Sequence, residues 1–192
     1  VVYPRSADDV AKVVRFASES GLPISTRGGG TSGAINVNGP GLVLDCSRYL
    51  REIGTQAGDL LTVQPGAVLD DVNAALRPSG RSFPIDSHRS SFATIGGLVG
   101  IDATGSRACR FGSVRDHLAE VELVLSNGEI VRLNPTETGQ SAEAMSSAAG
   151  SLEARRLAKR AAEVLASSDS PPDEIVSRGW REGTLLQLQR IV

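Results

Sequence analysis

Two glycine-dense segments carry the chemistry this chain can offer: Arg27-Gly28-Gly29-Gly30-Thr31-Ser32-Gly33, and Thr94-Ile95-Gly96-Gly97 running on to Asp102-Ala103-Thr104-Gly105. Glycine removes the side chain that keeps a ligand away from backbone N–H groups. Consecutive glycines also reach the dihedral angles that aim several N–H groups at one anion. Each cluster brings hydroxyl donors, Thr31 and Ser32 in the first and Thr94 in the second, and each follows an apolar run. A single cluster of this kind reads more simply as a tight turn. A pair of them suits a phosphate-bearing ligand whose diphosphate is gripped from both sides.

The surroundings of the glycines exclude other anion-binding and catalytic designs. A P-loop needs a lysine and a Mg-binding hydroxyl directly after its glycines, and the only lysines are Lys12 and Lys159. A dinucleotide fingerprint needs a helix opening on the glycines, which Ala34-Ile35-Asn36-Val37-Asn38-Gly39-Pro40-Gly41 does not supply. No Ser or Cys stands in a nucleophile elbow, and no motif places His88 or His117 beside one, so hydrolase chemistry has no apparatus. Cys46 and Cys109 lack metal-ligand spacing. No metal site is expected, and the thiols read as free in a reducing cytosol. The net charge of −2, with mixed signs and few aromatics, predicts neither a nucleic acid nor an acidic membrane surface as partner. No apolar run approaches the ~20 residues of a membrane span and no signal peptide is visible, so the expected location is cytoplasmic. The chain opens on Val1 rather than Met, as expected of a piece of a longer polypeptide.

The elements that must position the loops follow from patterning. Ser6 and Asp9 resemble a capping box, and Val10, Val13, Val14 and Ala17 then share a helical face up to a left-handed stop at Gly21. Strands are predicted over Leu22 to Thr26, Leu42 to Asp45 and Leu60 to Gln64, the last ending at Pro65-Gly66. Val68, Val72, Ala75 and Leu76 mark a second helix closed by Gly80, after which Ser82 to Phe92 crosses to the second glycine loop. Val121, Leu123 and Leu125 alternate with Glu120 and Glu122, and Asn127-Gly128 predicts a type I′ hairpin turn into Ile130 and Val131. Beyond Pro135, Ser151 to Leu165 reads as an exposed helix, Ser167 to Pro172 as a linker, and Leu185 to Val192 has helical potential.

The ordered series Tyr3-Pro4, Pro23-Ile24, RGGGTS from Arg27, LVLDCSR from Leu42, VQPGAVLDDV from Val63, FPIDS from Phe83, ATIGGLVGIDATG from Ala93, RFGSVRDH from Arg110 and EVELVLSNGEIV from Glu120 resembles the FAD-binding domain of the vanillyl-alcohol oxidase and p-cresol methylhydroxylase family, the FAD-linked oxidases. The wording of TIGG, ATGSR, FGSVRDH and VLSNG is most similar to the flavoprotein dehydrogenases of 2-hydroxy acids, the glycolate oxidase, D-lactate and D-2-hydroxyglutarate dehydrogenase group. The resemblance implies an α+β, two-lobed FAD-binding domain: a small α/β lobe with parallel strands over 1–66, and a second lobe with an antiparallel sheet and flanking helices over 67–140. A C-terminal helical segment over 141–192 would lead to a substrate domain outside the chain.

The same resemblance implies that the backbone of both glycine loops holds the FAD pyrophosphate. Arg27, Gly28, Gly29, Gly30, Thr31 and Ser32 would form one wall, and Thr94, Ile95, Gly96 and Gly97 the other. Asp86, Ser87 and Gly105 would line the channel, with Ile130 or Val131 near the adenine. Thr31 stands where relatives with covalent flavin carry histidine, so a non-covalent cofactor is expected. Asp102 replaces a family asparagine, which removes a donor, adds repulsion toward phosphate and predicts weakened FAD affinity. Arg107, Arg110 and Arg115 read as a solvated rim, the alternative being that they soften the field around the diphosphate or face the substrate carboxylate; Asp116-His117 reads as a structural hydrogen-bonding site rather than a catalytic dyad, His88 as exposed, Cys46 as a buried apolar position and Cys109 as a loop thiol. No catalytic residue is assigned. The partners implied are a small 2-hydroxy acid, bound through the absent domain, and an electron acceptor of unspecified kind. The rival readings are a UDP-N-acetylenolpyruvoylglucosamine reductase-like flavoenzyme and a non-catalytic module that has lost flavin.

Overall fold

Ser6 starts the first helix by accepting a hydrogen bond from Asp9 N on its hydroxyl (3.2 Å), while the Asp9 carboxylate reaches back to Arg5 N (3.1 Å). The computed structural model describes residues 1–32 and 39–133, together with Leu152 and Arg156. Helix α1 spans Ala7–Glu19 and buries Ala11 and Ala17. It ends as its sequence predicts, with Gly21 left-handed at φ +63 and Leu22 N donating to Ala17 O, a closure that satisfies the last carbonyls. That closure consumes Leu22 and is followed by Pro23, which has no N–H to give a ladder. Strand β1 therefore begins at Ile24, later than predicted, and runs to Arg27.

Strand β2, Leu42–Asp45, has the predicted bounds and pairs parallel to β1 in the register Ile24↔Leu42 to Arg27↔Asp45. Val2 extends the sheet by a parallel bridge to Leu44. Leu60 to Gln64 does not form the predicted strand. The chain turns at Gly58 (φ +60) and makes only single antiparallel bridges, Ala57↔Leu60 and Ile53↔Val63. Its polar backbone groups are met by the residues just before the turn, as in Gln64 N to Glu52 O and Gly54 N to Thr62 O (both 2.9 Å), rather than by the parallel sheet.

Helix α2, Leu69–Leu76, buries Leu69, Val72 and Leu76, so Leu69 takes the place expected of Ala75. A 3-10 turn over Arg77–Ser79 closes it at Gly80 (φ +70). The crossing segment contributes Ile85, one of the most buried side chains with Leu44, Leu69 and Val114. The short helices α3, Ile95–Gly100, and α4, Ala108–Phe111, follow, then a 3-10 turn over Val114–His117.

Strands β3, Val121–Val124, and β4, Ile130–Leu133, pair antiparallel from Val121↔Leu133 to Val124↔Ile130. This register leaves Leu125 to Glu129 as the connection. Gly128 is left-handed (φ +77) but Asn127 is not, so the type I′ turn is not formed. Instead the Asn127 side chain accepts from Glu129 N (2.9 Å), the local turn chemistry that Asn favours. The chain divides into two units, Val1–His117 with Ser126–Glu129, and Leu118–Leu125 with Ile130–Val192. In the second unit Val131 is buried against Leu123 and Leu125, while Arg132 pairs with Glu122 (3.1 Å). The predictions for Ser167 to Pro172 and Leu185 to Val192 lie outside the described residues, as does most of Ser151 to Leu165; Leu152 and Arg156 within it are helical.

Gly66 shows what holds the first unit together. A Cβ there would overlap Cys46 O and lie 2.6 Å from Leu50 O, whereas one at Gly58 meets open space. Gly66→Ala is expected to cost about 3 kcal/mol, the upper end of overpacking penalties. Gly58→Ala should cost about 1 kcal/mol, for the left-handed backbone alone. Urea midpoints of the two variants check this, and equal midpoints would refute it.

Candidate functional site

The first glycine loop leaves a strand end that is tied down. Arg27 O accepts from Cys46 N (2.9 Å), and Arg27 Nε lies 3.7 Å from Asp45 Oδ2. Asp45 Oδ1 in turn accepts from Ser47 N (2.9 Å) and Ser47 Oγ (2.6 Å). Gly30 then turns left-handed (φ +66) close over the Arg27 guanidinium. The backbone N–H groups of Gly28, Gly29, Gly30, Thr31 and Ser32 have no acceptor among the described residues, although Gly28, Gly30, Thr31 and Ser32 are half-buried. A row of such donors is costly unless something accepts from it.

The second loop is pinned from the other side. Leu69 N donates to Ala93 O, Ile95 N to Ala67 O (both 2.9 Å), and Gly96 N to Pro65 O (2.8 Å). Gly96 must lack a side chain because a Cβ would stand 2.6 Å from Pro65 Cβ. Two of the amides expected to face a ligand, those of Ile95 and Gly96, are thus committed to the protein. Among the described residues, Gly97 N–H has no acceptor and the buried Thr94 Oγ1 has no hydrogen-bond partner.

The structure brings the two loops into contact. A Cβ on Gly28 would overlap Thr94 Oγ1, one on Gly29 would overlap Phe92 O, and one on Gly97 would lie 3.2 Å from Thr94 Oγ1. Arg89 Nη1 donates to Thr31 O across the same junction (3.4 Å). The open amides of the first loop, Gly97 N–H and the orphaned Thr94 hydroxyl therefore border one place. These are hydrogen-bond donors without acceptors, the complement that a phosphate group requires.

Asp86 and Gly105 also meet, and a Cβ on Gly105 would overlap Asp86 Oδ1. Asp86 Oδ2 accepts a short hydrogen bond from Ser106 Oγ and lies 3.9 Å from Arg107 Nε. The Ser106 hydroxyl, aided by the Ser106 amide and Arg107, holds the Asp86 carboxyl below the usual carboxylate range. Ser87 builds the adjoining turn, its Oγ accepting from Arg89 N (3.3 Å) and its carbonyl from Ser90 N (3.2 Å). Ile130 and Val131 lie on β4 in the second unit, Ile130 exposed and Val131 buried.

Asp102 is not the open carboxylate that its type suggests. It is buried, left-handed (φ +43), and turned onto Arg115: Oδ1 accepts from Arg115 N (2.9 Å) and Oδ2 lies 2.6 Å from Arg115 Nε. The charge is compensated inside the fold, so it does not stand as an open repulsion toward phosphate. Of the arginines, Arg107 and Arg110 are exposed, as expected of a solvated rim, whereas Arg115 is half-buried. Arg115 holds Asp102, Arg107 pairs with Asp86 and donates to Pro84 O (3.2 Å), and Arg107 and Arg110 both lie over the Phe111 ring. Asp116 and His117 are structural as expected: Asp116 Oδ2 accepts from Ser113 N (2.8 Å), and His117 Nε2 contacts Phe111 O (2.7 Å). His88 is exposed. Cys46 is only half-buried, with burial pushing its thiol up, and Cys109 is exposed. No group of metal-ligating side chains occurs among the described residues, nor any helix long and apolar enough to cross a membrane. Sequence reasoning missed Arg89 and Phe92, whose roles come from contacts between distant backbone segments and leave no local pattern.

A family model described as FAD binding domain matches residues 1–134. The D-2-hydroxyglutarate dehydrogenase of Pseudomonas putida is 37% identical over 142 residues, covering 71% of this chain and 14% of the relative. Glycolate oxidase subunit GlcD of Bacillus subtilis is 33% identical over 136 residues, covering 69% of this chain and 29% of the relative. Among solved structures, 6-hydroxy-D-nicotine oxidase from Arthrobacter nicotinovorans superposes with a TM-score of 0.62 at 26% identity, over 70% of this chain and 29% of its own. The chain thus spans only a minor part of the proteins it resembles.

The Asp86 latch has a pH signature. A carboxyl held below its ordinary value binds fewer protons folded than unfolded, so its contribution to stability is complete above the ordinary carboxylate range. That contribution is lost as pH falls through the depressed folded value. Asp86→Asn should therefore lower the unfolding midpoint at neutral pH, and the gap to wild type should close in acid. Parallel stability curves down to the acid transition would remove the latch from the account.

Proposed function

The chain belongs to the FAD-binding domain family of the FAD-linked oxidases, and from that premise we propose that it is the cofactor-binding part of a flavin-dependent dehydrogenase of small 2-hydroxy acids. FAD is the cofactor. The observation that carries the reading is the junction of the two glycine loops, where unspent donors gather around glycines that leave no room for side chains. The residues present fit the diphosphate of FAD. The amides of Gly28 to Ser32, Gly97 N–H and Thr94 Oγ1 would hold it by charge-assisted hydrogen bonds, each worth roughly 1.5–3 kcal/mol. Bound FAD supplies a two-electron acceptor for oxidation of the substrate α-carbon.

The chain's own residues do the holding and orienting. The bonds from Ile95 and Gly96 to Ala67 and Pro65 fix the second loop before any ligand arrives, so little ordering remains to be done on binding. Thr31 after the glycines offers no ring nitrogen for covalent attachment, in keeping with a dissociable flavin. The 2-hydroxy-acid assignment is supported by the names of the relatives, D-2-hydroxyglutarate dehydrogenase and glycolate oxidase subunit GlcD. Substrate contacts and the electron acceptor's docking site belong to the part of such enzymes that this chain does not span. In this reading the domain is two-lobed and cytosolic, with both thiols free.

Titration of the purified chain with FAD, followed by flavin fluorescence, is expected to give saturable one-to-one binding that survives desalting. Thr94→Val keeps the shape and removes the unpaired hydroxyl. It should weaken FAD about ten- to a hundredfold, one charge-assisted hydrogen bond's worth, without lowering the unfolding midpoint. A folded chain that takes up no flavin would defeat the assignment.

A further inference from the structure

The guanidiniums that border the loops differ in one respect. Arg27 faces Asp45, Arg107 faces Asp86 and Arg115 faces Asp102, and Arg110 lies over the Phe111 ring. Arg89 has no carboxylate partner among the described residues. Its one recorded bond is to a neutral carbonyl, Thr31 O, at 3.4 Å, which is long for an N–H···O contact and correspondingly weak.

Its backbone, by contrast, is rigidly held. Arg89 N donates to Ser87 Oγ (3.3 Å), and Arg89 O accepts from both Phe92 N (2.9 Å) and Ala93 N (2.7 Å). Phe92 O is the atom that a side chain on Gly29 would strike. The root of the Arg89 side chain is therefore anchored to the loop junction itself, and its tip rests on the loop whose amides lack acceptors. A permanently charged, planar donor is thus parked beside a set of unspent donors, with only a weak neutral bond to give up.

We propose that Arg89 is a phosphate-binding residue of this site, which exchanges Thr31 O for an oxygen of the diphosphate held by the first glycine loop and so closes over it. This rests on the FAD reading and adds a contact to it. The exchange is favourable because a hydrogen bond from guanidinium to phosphate is shorter and about twice as strong as one to a neutral carbonyl. The residue acts on the anion alone, so its effect must follow charge and salt.

The test is equilibrium binding of FAD to the full chain carrying Arg89→Lys, Arg89→Ala or Arg89→Glu, each at low and high salt, with circular dichroism and unfolding midpoints of the ligand-free proteins. The expected order of affinity is wild type, then Lys, then Ala, then Glu. Arg89→Ala should lose about tenfold, the gap should narrow at high salt, and the ligand-free midpoints should be unchanged. Wild-type affinity in Arg89→Ala, or equal losses in Ala and Glu at both salts, overturns the role of Arg89 and leaves the FAD reading standing. Failure of the folded wild-type chain to bind FAD overturns both.

Discussion

The contact between Gly28-Gly29 and the segment Phe92 to Thr94 is the constraint on which the rest of the first unit depends. It requires bare α-carbons at Gly28 and Gly29, because side chains there would occupy the space of Thr94 Oγ1 and Phe92 O. It also requires that each partner be held independently. The parallel register of β1 and β2 delivers Gly28 at the end of a strand clamped by Arg27 and Asp45. The antiparallel bridge between Val68 and Thr94 holds the other side against the start of α2. Two pieces of backbone fixed by different elements thus present their open donors to one place. The binding geometry therefore belongs to the packing of the fold and needs no ligand to create it.

The same contact explains why the glycines cannot be assigned to either turn chemistry or ligand binding alone. Gly30 is left-handed and makes the turn, Gly96 admits Pro65, and Gly28 and Gly29 admit the opposite loop. The close approach of backbone to backbone also strips the loop of side chains that would screen its N–H groups. What remains is a set of donors with no acceptor among the described residues, a cost that a native fold retains where an acceptor from outside repays it.

Much of this was legible in the sequence where neighbours in the chain decide the outcome. The cap at Ser6, the left-handed stop at Gly21, the bounds of β2 and the β3–β4 pairing all follow from local periodicity and turn residues. Legibility ended where distant segments compete for the same backbone groups. Leu60 to Gln64 has strand composition, but its hydrogen bonds go to residues just upstream of Gly58, so it joins no sheet. Ile85 sits in a stretch with few apolar residues and still enters the core. Within the site the glycines and Thr94 were visible by type. The commitment of the Ile95 and Gly96 amides to Ala67 and Pro65 was not, since nothing in TIGG announces which of its N–H groups the fold will use.

Asp102 shows how a residue that looks adverse by type becomes neutral by placement. A carboxylate buried near an anion site would destabilise both the fold and the complex if left alone. Here the left-handed backbone at Asp102, a conformation that Asp tolerates better than most residues, turns the side chain onto Arg115. The Arg115 amide and guanidinium engage its two oxygens. Asp45 and Asp86 face Arg27 and Arg107 at longer ion-pair distances, 3.7 and 3.9 Å, and take their hydrogen bonds from Ser47 and Ser106. With the bordering carboxylates facing arginines, the positive charge left at the loop junction is that of the open backbone N–H groups and of the Arg89 guanidinium. The net charge of −2 acts only weakly from beyond about 10 Å, where salt screens it. A negative net charge is therefore compatible with an anion site where local donors face the site and the acids near it face arginines.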